Sequence, residues 1–284
     1  MTENSPLQKY YRQPAIYLKL PSGGKYYSPE VFTPTETGEV PVLPMTVKDE
    51  LAFKTPDALL NGQSTVDVIK SCIPNIKDPW QMVNYDTDAV LLAIRIASYG
   101  ETMTISYNVP ITGERQDGAL NLPALLEDLG KVEIKDKIKT ASGFELEVEP
   151  LTYKNLTKLQ IANFEQQKIV GSLQSSALTE QDKSTAFQKS FDIINKVNFS
   201  LMLDSIKQIT TPDGVTVDNR QHILDFCNNA DSKIVNEIEE KLSEIRVQAQ
   251  VPPMRVKATD EQIKSGVPTS FNVPVTFDNS NFFG

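Results

Sequence analysis

The chain has 284 residues, 39% hydrophobic and 23% charged, enough apolar material for one large folded domain or two ordinary ones. Its 37 acidic residues outnumber 28 basic ones, and the formal charge of -9 repels phosphate backbones and argues against nucleic acid as a partner. The longest apolar stretch, 89–97, is broken by Arg95 and too short for a bilayer, and residues 1–8 lack a signal-peptide core, so a cytoplasmic, membrane-free setting is expected.

In chain order, the polar residues 1–12 are expected to fray or to lie along a partner. Residues 16–20 alternate as a short strand, and Pro21-Ser22-Gly23-Gly24 supplies a turn. Residues 40–45 read as a second strand, kept to an edge by Pro41 and Pro44. Thr46 with Asp49 forms a capping pattern for a helix reaching about Lys54. A short helix follows from Thr55-Pro56, burying Leu59 and Leu60 and stopping at Asn61-Gly62. Ser64 or Thr65 then caps a helix through Cys72 that Pro74 closes. Asp86 or Thr87 starts the most apolar helix, 88–98, where the charged head of Arg95 needs an acceptor or an exit to water and is expected in a structural salt bridge.

From Glu101 the period shifts to two, giving a strand over 101–107, a turn region over 110–118, a return over 119–122 and a further strand over 144–148. After Pro150 helical spacing takes over. Leu156, Leu159, Phe164 and Ile169 mark one helix, and Phe187, Phe191, Ile194, Val197 and Leu201 mark a long one over 180–209. Residues 215–217 can pair with Ile209 in a small hairpin, and Asp218 and then Asp231 or Ser232 cap two last helices. Ile234, Ile238, Leu242 and Ile245 form an amphipathic seam that reads as a core face.

Catalytic chemistry is sparse. The single histidine, His222, has no acidic or cysteine partner at a ligand spacing, and no G-x-S-x-G elbow occurs. Gly23-Gly24-Lys25 lacks the remaining frame of a phosphate loop, with Tyr26 where the hydroxyl should stand. Asp86 with Asp88 reads as a helix cap, and Glu145, Glu147 and Glu149 as a solvated strand face. Cys72 and Cys227 sit far apart in apolar contexts as buried thiols, and two cysteines with one histidine cannot build a four-ligand zinc site. No catalytic residue, cofactor or metal is expected, and the protein is read as a non-enzyme acting by binding.

Four segments carry a resemblance: Leu20-Pro21-Ser22-Gly23-Gly24-Lys25-Tyr26-Tyr27; Val42-Leu43-Pro44-Met45-Thr46 with Asp49-Glu50; Pro56-Asp57-Ala58-Leu59-Leu60-Asn61-Gly62; and residues 86–100 with Leu91-Leu92-Ala93-Ile94-Arg95 and Ser98-Tyr99-Gly100. In this order the chain resembles the baseplate hub subunits and hub assembly proteins of contractile-tailed bacteriophages of the T-even type. The aromatic end, Phe277-Asp278-Asn279-Ser280-Asn281-Phe282-Phe283, is similar to the end of such proteins. Many relatives place a C-P-x-C-G cysteine pair after the Ser-Tyr-Gly exit. Here Val109-Pro110-Ile111-Thr112-Gly113 keeps the proline and glycine and lacks both thiols, so no metal knuckle carries over.

The resulting expectation is an α+β protein. A small mixed α/β domain with a β-hairpin spans 1–150, a helical domain 151–250 and an extended, aromatic-ended tail 251–284. The resemblance implies a structural or chaperone-like assembly role in a phage baseplate hub, acting by protein–protein binding during tail morphogenesis. A hub-associated cell-wall hydrolase would instead need two facing carboxylates in a cleft, and an adaptor for the tape-measure protein would need a long helical partner. Expected partners are hub, tail-tube or tape-measure proteins, with a homo-oligomer as a further option, and with no nucleic acid and no membrane. The setting is the host cytoplasm during assembly, with the virion baseplate as an end point left open. Phe271, Phe277, Phe282 and Phe283 are the candidate partner-binding residues, because a solvated tail rarely carries so many aromatics.

Overall fold

The computed structural model describes residues 6–54, 61–174 and 179–275, and it is an α+β fold built on small antiparallel sheets. The chain divides into two compact units: Met1–Pro79 with Tyr85–Val132 and Val251–Gly284, and Trp80–Asn84 with Glu133–Gln250. This partition differs from segments 1–150, 151–250 and 251–284, because residues after 250 belong with the first unit and strands before 150 belong with the second.

In the first unit, β1 (Ile16–Lys19) pairs with β2 (Glu39–Val42), setting Leu18 opposite Val40 with both buried, while Pro41 lies opposite exposed Tyr17. Thr46 closes the expected capping box with Asp49 on the helix Val47–Phe53. The expected helix over 55–60 lies outside the described residues. Gly62, at φ 75, rather than Ser64 or Thr65, precedes the helix Gln63–Cys72. Ser64 and Thr65 are buried inside its first turn, where the Ser64 hydroxyl donates to the Ala52 carbonyl at 2.8 Å.

The core helix Asn84–Tyr99 starts two residues before Asp86 and buries Tyr85, Ala89, Val90, Leu92, Ala93 and Ile94. Gly100, at φ 92, turns the chain out of it, its N–H still bonded to the Ile96 carbonyl at 3.0 Å. β3 (Thr102–Asn108) and β4 (Arg115–Asn121) form the expected hairpin, Met103 opposite Leu120, with a return strand longer than 119–122. Asn121 then caps a helix, Leu122–Gly130, with proline in its first turn. Residues past 250 are not simply extended: β9 (Met254–Lys257) and β10 (Ser270–Val273) form a third antiparallel pair, with a short helix Asp260–Lys264 between them.

The second unit holds a four-stranded sheet in the order β5 (Lys137–Lys139), β6 (Glu145–Val148), β7 (Ile206–Thr210), β8 (Thr216–Val217). It is therefore a sheet covered by helices and not a helical bundle. The long helix Glu180–Ser205 stops short of 209 because residues 206–210 are claimed by the sheet. Ile206 and Ile209 are three apart, which on a regular strand would send them to opposite faces. A bulge at Glu147/Val148 leaves Lys207 unpaired between them and lets both face inward. They join Leu146, Val148, Ile238, Leu242 and Ile245 in one core, so the seam on the helix Ser232–Gln248 is an internal face, as expected.

Candidate protein-docking surfaces

Polar pairs in the first unit tie the motif segments to one another. Asp86 is fully buried and accepts from the Ser22 amide at 2.9 Å, the Tyr27 hydroxyl at 2.5 Å and the Ser22 hydroxyl. Its role is to hold the glycine turn, not to cap the helix. Burial pushes its carboxyl above the ordinary range, and these three donors pull it back. The turn itself needs Gly23 at φ 65 and Gly24 at φ 83, and a Cβ on Gly24 would meet the Phe32 ring at 3.2 Å.

A second knot centres on Arg12, whose guanidinium donates to the carbonyls of Pro44 and Ser71 at 2.7 Å each, to the Ser71 hydroxyl at 2.8 Å and to Asp49 at 3.2 Å. Asp49, itself buried, also accepts from the Thr46 amide and hydroxyl at 2.8 Å. The adjoining Cys72 thiol is pushed up to about 12, chiefly by burial and then by Asp49, which makes it an inert core group. The third tie joins the exit of the core helix to the segment after β2: the Ser98 hydroxyl accepts from the Met45 amide at 2.9 Å, and the Tyr99 hydroxyl donates to Glu50 at 3.0 Å.

Arg95 departs from expectation. Among the described residues it has no ion pair; its guanidinium lies over the Tyr99 ring at 4.5 Å, and its buried Nε and Nη1 find no hydrogen-bond partner. Burial lowers its affinity for the proton, and Tyr99 opposes this.

Other carboxylates are occupied structurally or sit singly. Glu145 pairs with Lys139 at 2.8 Å, and Lys207 reaches Glu147 and Glu149 at 3.3 Å each. Asp88 is partly exposed, yet burial pushes its carboxyl up to about 7 from 3.8. The charged form is then penalised in the folded state alone, so this contribution to stability is greatest below the unfolded value and falls as pH rises from about 4 to about 7. Asp88→Asn is expected to stabilise by about 1–2 kcal/mol at about pH 8, after allowing for solvent screening, and to do little at about pH 4. Urea unfolding at the two pH values checks this, and equal slopes with pH in wild type and variant would refute it.

His222 sits exposed in the first turn of the helix Arg220–Asn229, its amide bonded to the Asn219 cap at 3.2 Å. No group of three or more His, Cys, Asp or Glu able to hold a metal occurs among the described residues. The loop at Val109–Gly113 is held by its backbone, by the buried Val109 side chain and by the Thr112 hydroxyl, which accepts from the Glu114 amide at 3.5 Å: the Val109 amide donates to the Glu114 carbonyl at 2.8 Å and the Gly113 amide to the Val109 carbonyl at 2.9 Å. Ile111 at its tip has φ 69, rare for a β-branched residue, and its side chain is 74% exposed.

Large apolar side chains stand open on the helices Tyr153–Gln174 and Glu180–Ser205, which pack on each other. Their root is fixed. Tyr153 stacks on Trp80 at 5.4 Å, Asn155 donates to Asp204 at 2.8 Å, and Met202 and Leu203 enter the core of the second unit. The contact of Asn155 with Asp204 joins the start of one helix to the end of the other, so the pair is antiparallel. Away from the root, Phe164, Ile169, Phe191 and Ile193 are left open, Phe191 at 67%. Phe271, the one candidate aromatic within the described residues, lies in β10 against the Tyr107 ring at 5.9 Å. It lines a shallow recess of about 240 Å³ with Ser106, Asn108, Pro110 and Pro274. Phe277, Phe282 and Phe283 lie outside the described residues. Exposure of Phe164 and Phe191 could not be read from helical spacing, which gives a stripe and not what covers it.

Buried polar contacts tie the segments of the first unit to one another, and large apolar side chains stand open on the helices Tyr153–Gln174 and Glu180–Ser205. The family of the T4 bacteriophage base plate protein matches residues 13–271, and the chain belongs to that family. It is thus a baseplate protein of the T4 phage type with a structural role in the tail baseplate. No curated protein and no solved structure matches it. No helix among the described residues is long and apolar enough to cross a membrane.

Proposed function

We propose that the protein builds the baseplate hub by binding other tail proteins, without a catalytic step, and that the two-helix arm over 153–205 is the surface it binds with. The open Phe191, with Phe164, Ile169 and Ile193, carries this reading. Two helices alone cannot cover apolar side chains on several faces, and such surfaces on soluble proteins mark sites of association. The matching occupant is an amphipathic helix of a hub, tail-tube or tape-measure protein, which would lay its apolar face against the arm. The aromatic end, Phe277, Phe282 and Phe283, is a second contact, for which Phe271 and the recess beside it form the anchor.

Phe191→Ser combined with Ile193→Ser is expected to weaken binding to purified hub, tail-tube or tape-measure protein at least about tenfold with an unchanged circular dichroism spectrum. Full binding by the double variant would end the arm proposal, and full binding after removal of residues 276–284 would end the part assigned to the aromatic end. Mass spectrometry of purified virions separates a resident subunit from an assembly chaperone, since only the former persists in mature tails.

A further inference from the structure

We propose that the two-helix arm is a weak joint, with Gln166 and Gly171 as its weak points, which opens and closes locally while its root and the core of the second unit stay folded. The proposal goes beyond the arm reading, and it is tested on the chain alone. The root is firmly built. The Tyr153 amide donates to the Met82 carbonyl at 2.7 Å, Val83 and Thr152 form an isolated bridge, and Leu201 and Met202 are 1% and 2% exposed.

Along the arm the packing is of another kind. Between residues 158 and 198 the buried residues among those described are Ala162, Gln166 and Ser190, while Leu159, Phe187, Ile194 and Val197 are only half-buried. Such a seam takes little apolar surface out of water, and helices without a well-covered apolar face are marginal. Gln166 adds a penalty, because among the described residues its buried Oε1 has no hydrogen-bond partner. Gly171 adds a second. It lies within the helix Tyr153–Gln174, where a Cβ would meet nothing within 4 Å, so packing does not require glycine there and its backbone freedom weakens the helix. Phe191 and Ile193, which follow Ser190 and could have strengthened the seam, stand open instead. Segments with so few buried apolar contacts open at free energies well below that of the whole fold. A helix that covers Phe191 and Ile193 would draw the arm toward its closed form, which makes ordering of the arm part of binding.

The test is native-state amide hydrogen exchange of the full chain, with rates taken relative to those of an unstructured chain. In the wild type, amides over 160–172 and 183–197 are expected to exchange at least about a hundredfold faster than those over 201–203 and 206–209, through an opening that low urea concentrations hardly change. Gln166→Leu should slow exchange in the arm at least about tenfold, by removing the unpaired acceptor and adding apolar contact. Gly171→Ala should slow it about threefold without touching the seam. Neither substitution should alter exchange at 201–203 or 206–209. A wild-type arm as well protected as its root, unchanged arm exchange in both variants, or a slowing shared equally by arm and root would each overturn the proposal, the last because the arm would then open only with the whole unit. The binding lost or kept in the Phe191→Ser, Ile193→Ser variant decides the arm reading separately.

Discussion

Asp86→Ala is expected to destabilise the first unit by about 3–5 kcal/mol, the scale on which buried polar networks fail when their acceptor is removed. The loss would strand the Ser22 amide and the hydroxyls of Ser22 and Tyr27 around a fully buried hole. Asp86→Asn keeps one acceptor oxygen, and both hydroxyls can turn to accept from the new amide, so about half that cost is expected. Hydrogen exchange at residues 20–27 is the fitting measurement, because the only tryptophan, Trp80, belongs to the other unit. Alanine and asparagine costing the same, or alanine costing under about 1 kcal/mol, would show that Asp86 does not hold the turn.

How much of this was legible follows from the range of each interaction. Local signals are legible. The capping box at Thr46 and Asp49, the alternation that makes β1, β3 and β6, and the internal seam at Ile238, Leu242 and Ile245 all depend on residues a few positions apart. The helix Leu122–Gly130 carries a local start signal, Asn121 as cap followed by Pro123, which competes with the return strand expected up to Leu122. Partners 49–64 residues apart were out of reach. Nothing in the spacing tells that Ser22 and Tyr27 converge on Asp86, or that Glu50 takes the Tyr99 hydroxyl.

The change at Ser205 shows the same limit at the level of an element. Helical periodicity continues toward Ile209, yet the chain leaves the helix because β6 presents a free edge to Ile206–Thr210. Tertiary pairing overrides local preference there, and the bulge that turns both isoleucines inward has no marker in the sequence. Arg95 illustrates the converse. The apolar helix around it marks its charged head as in need of an acceptor or an exit to water, whereas the missing carboxylate among the described residues depends on neighbours far away in sequence.

Arg12→Ala should cost about 3–4 kcal/mol and loosen residues 6–12, because it removes the cation paired with buried Asp49 and five hydrogen bonds at once. The planar guanidinium reaches two carbonyls, a hydroxyl and a carboxylate from one place, and lysine has a single nitrogen with which to serve them. Arg12→Lys should therefore recover only the charge term and leave about half the loss. Because the Pro44 carbonyl and Ser71 belong to different segments, the knot closes the gap between the strand β2 and the helix Gln63–Cys72, and its loss should open both. Proteolysis near residue 12 and hydrogen exchange at residues 42–46 should then rise together. A variant with Arg12→Ala that unfolds at the wild-type denaturant midpoint would show that Asp49 is sustained by Thr46 and Ser71 alone, and that residues 6–12 do not brace the fold.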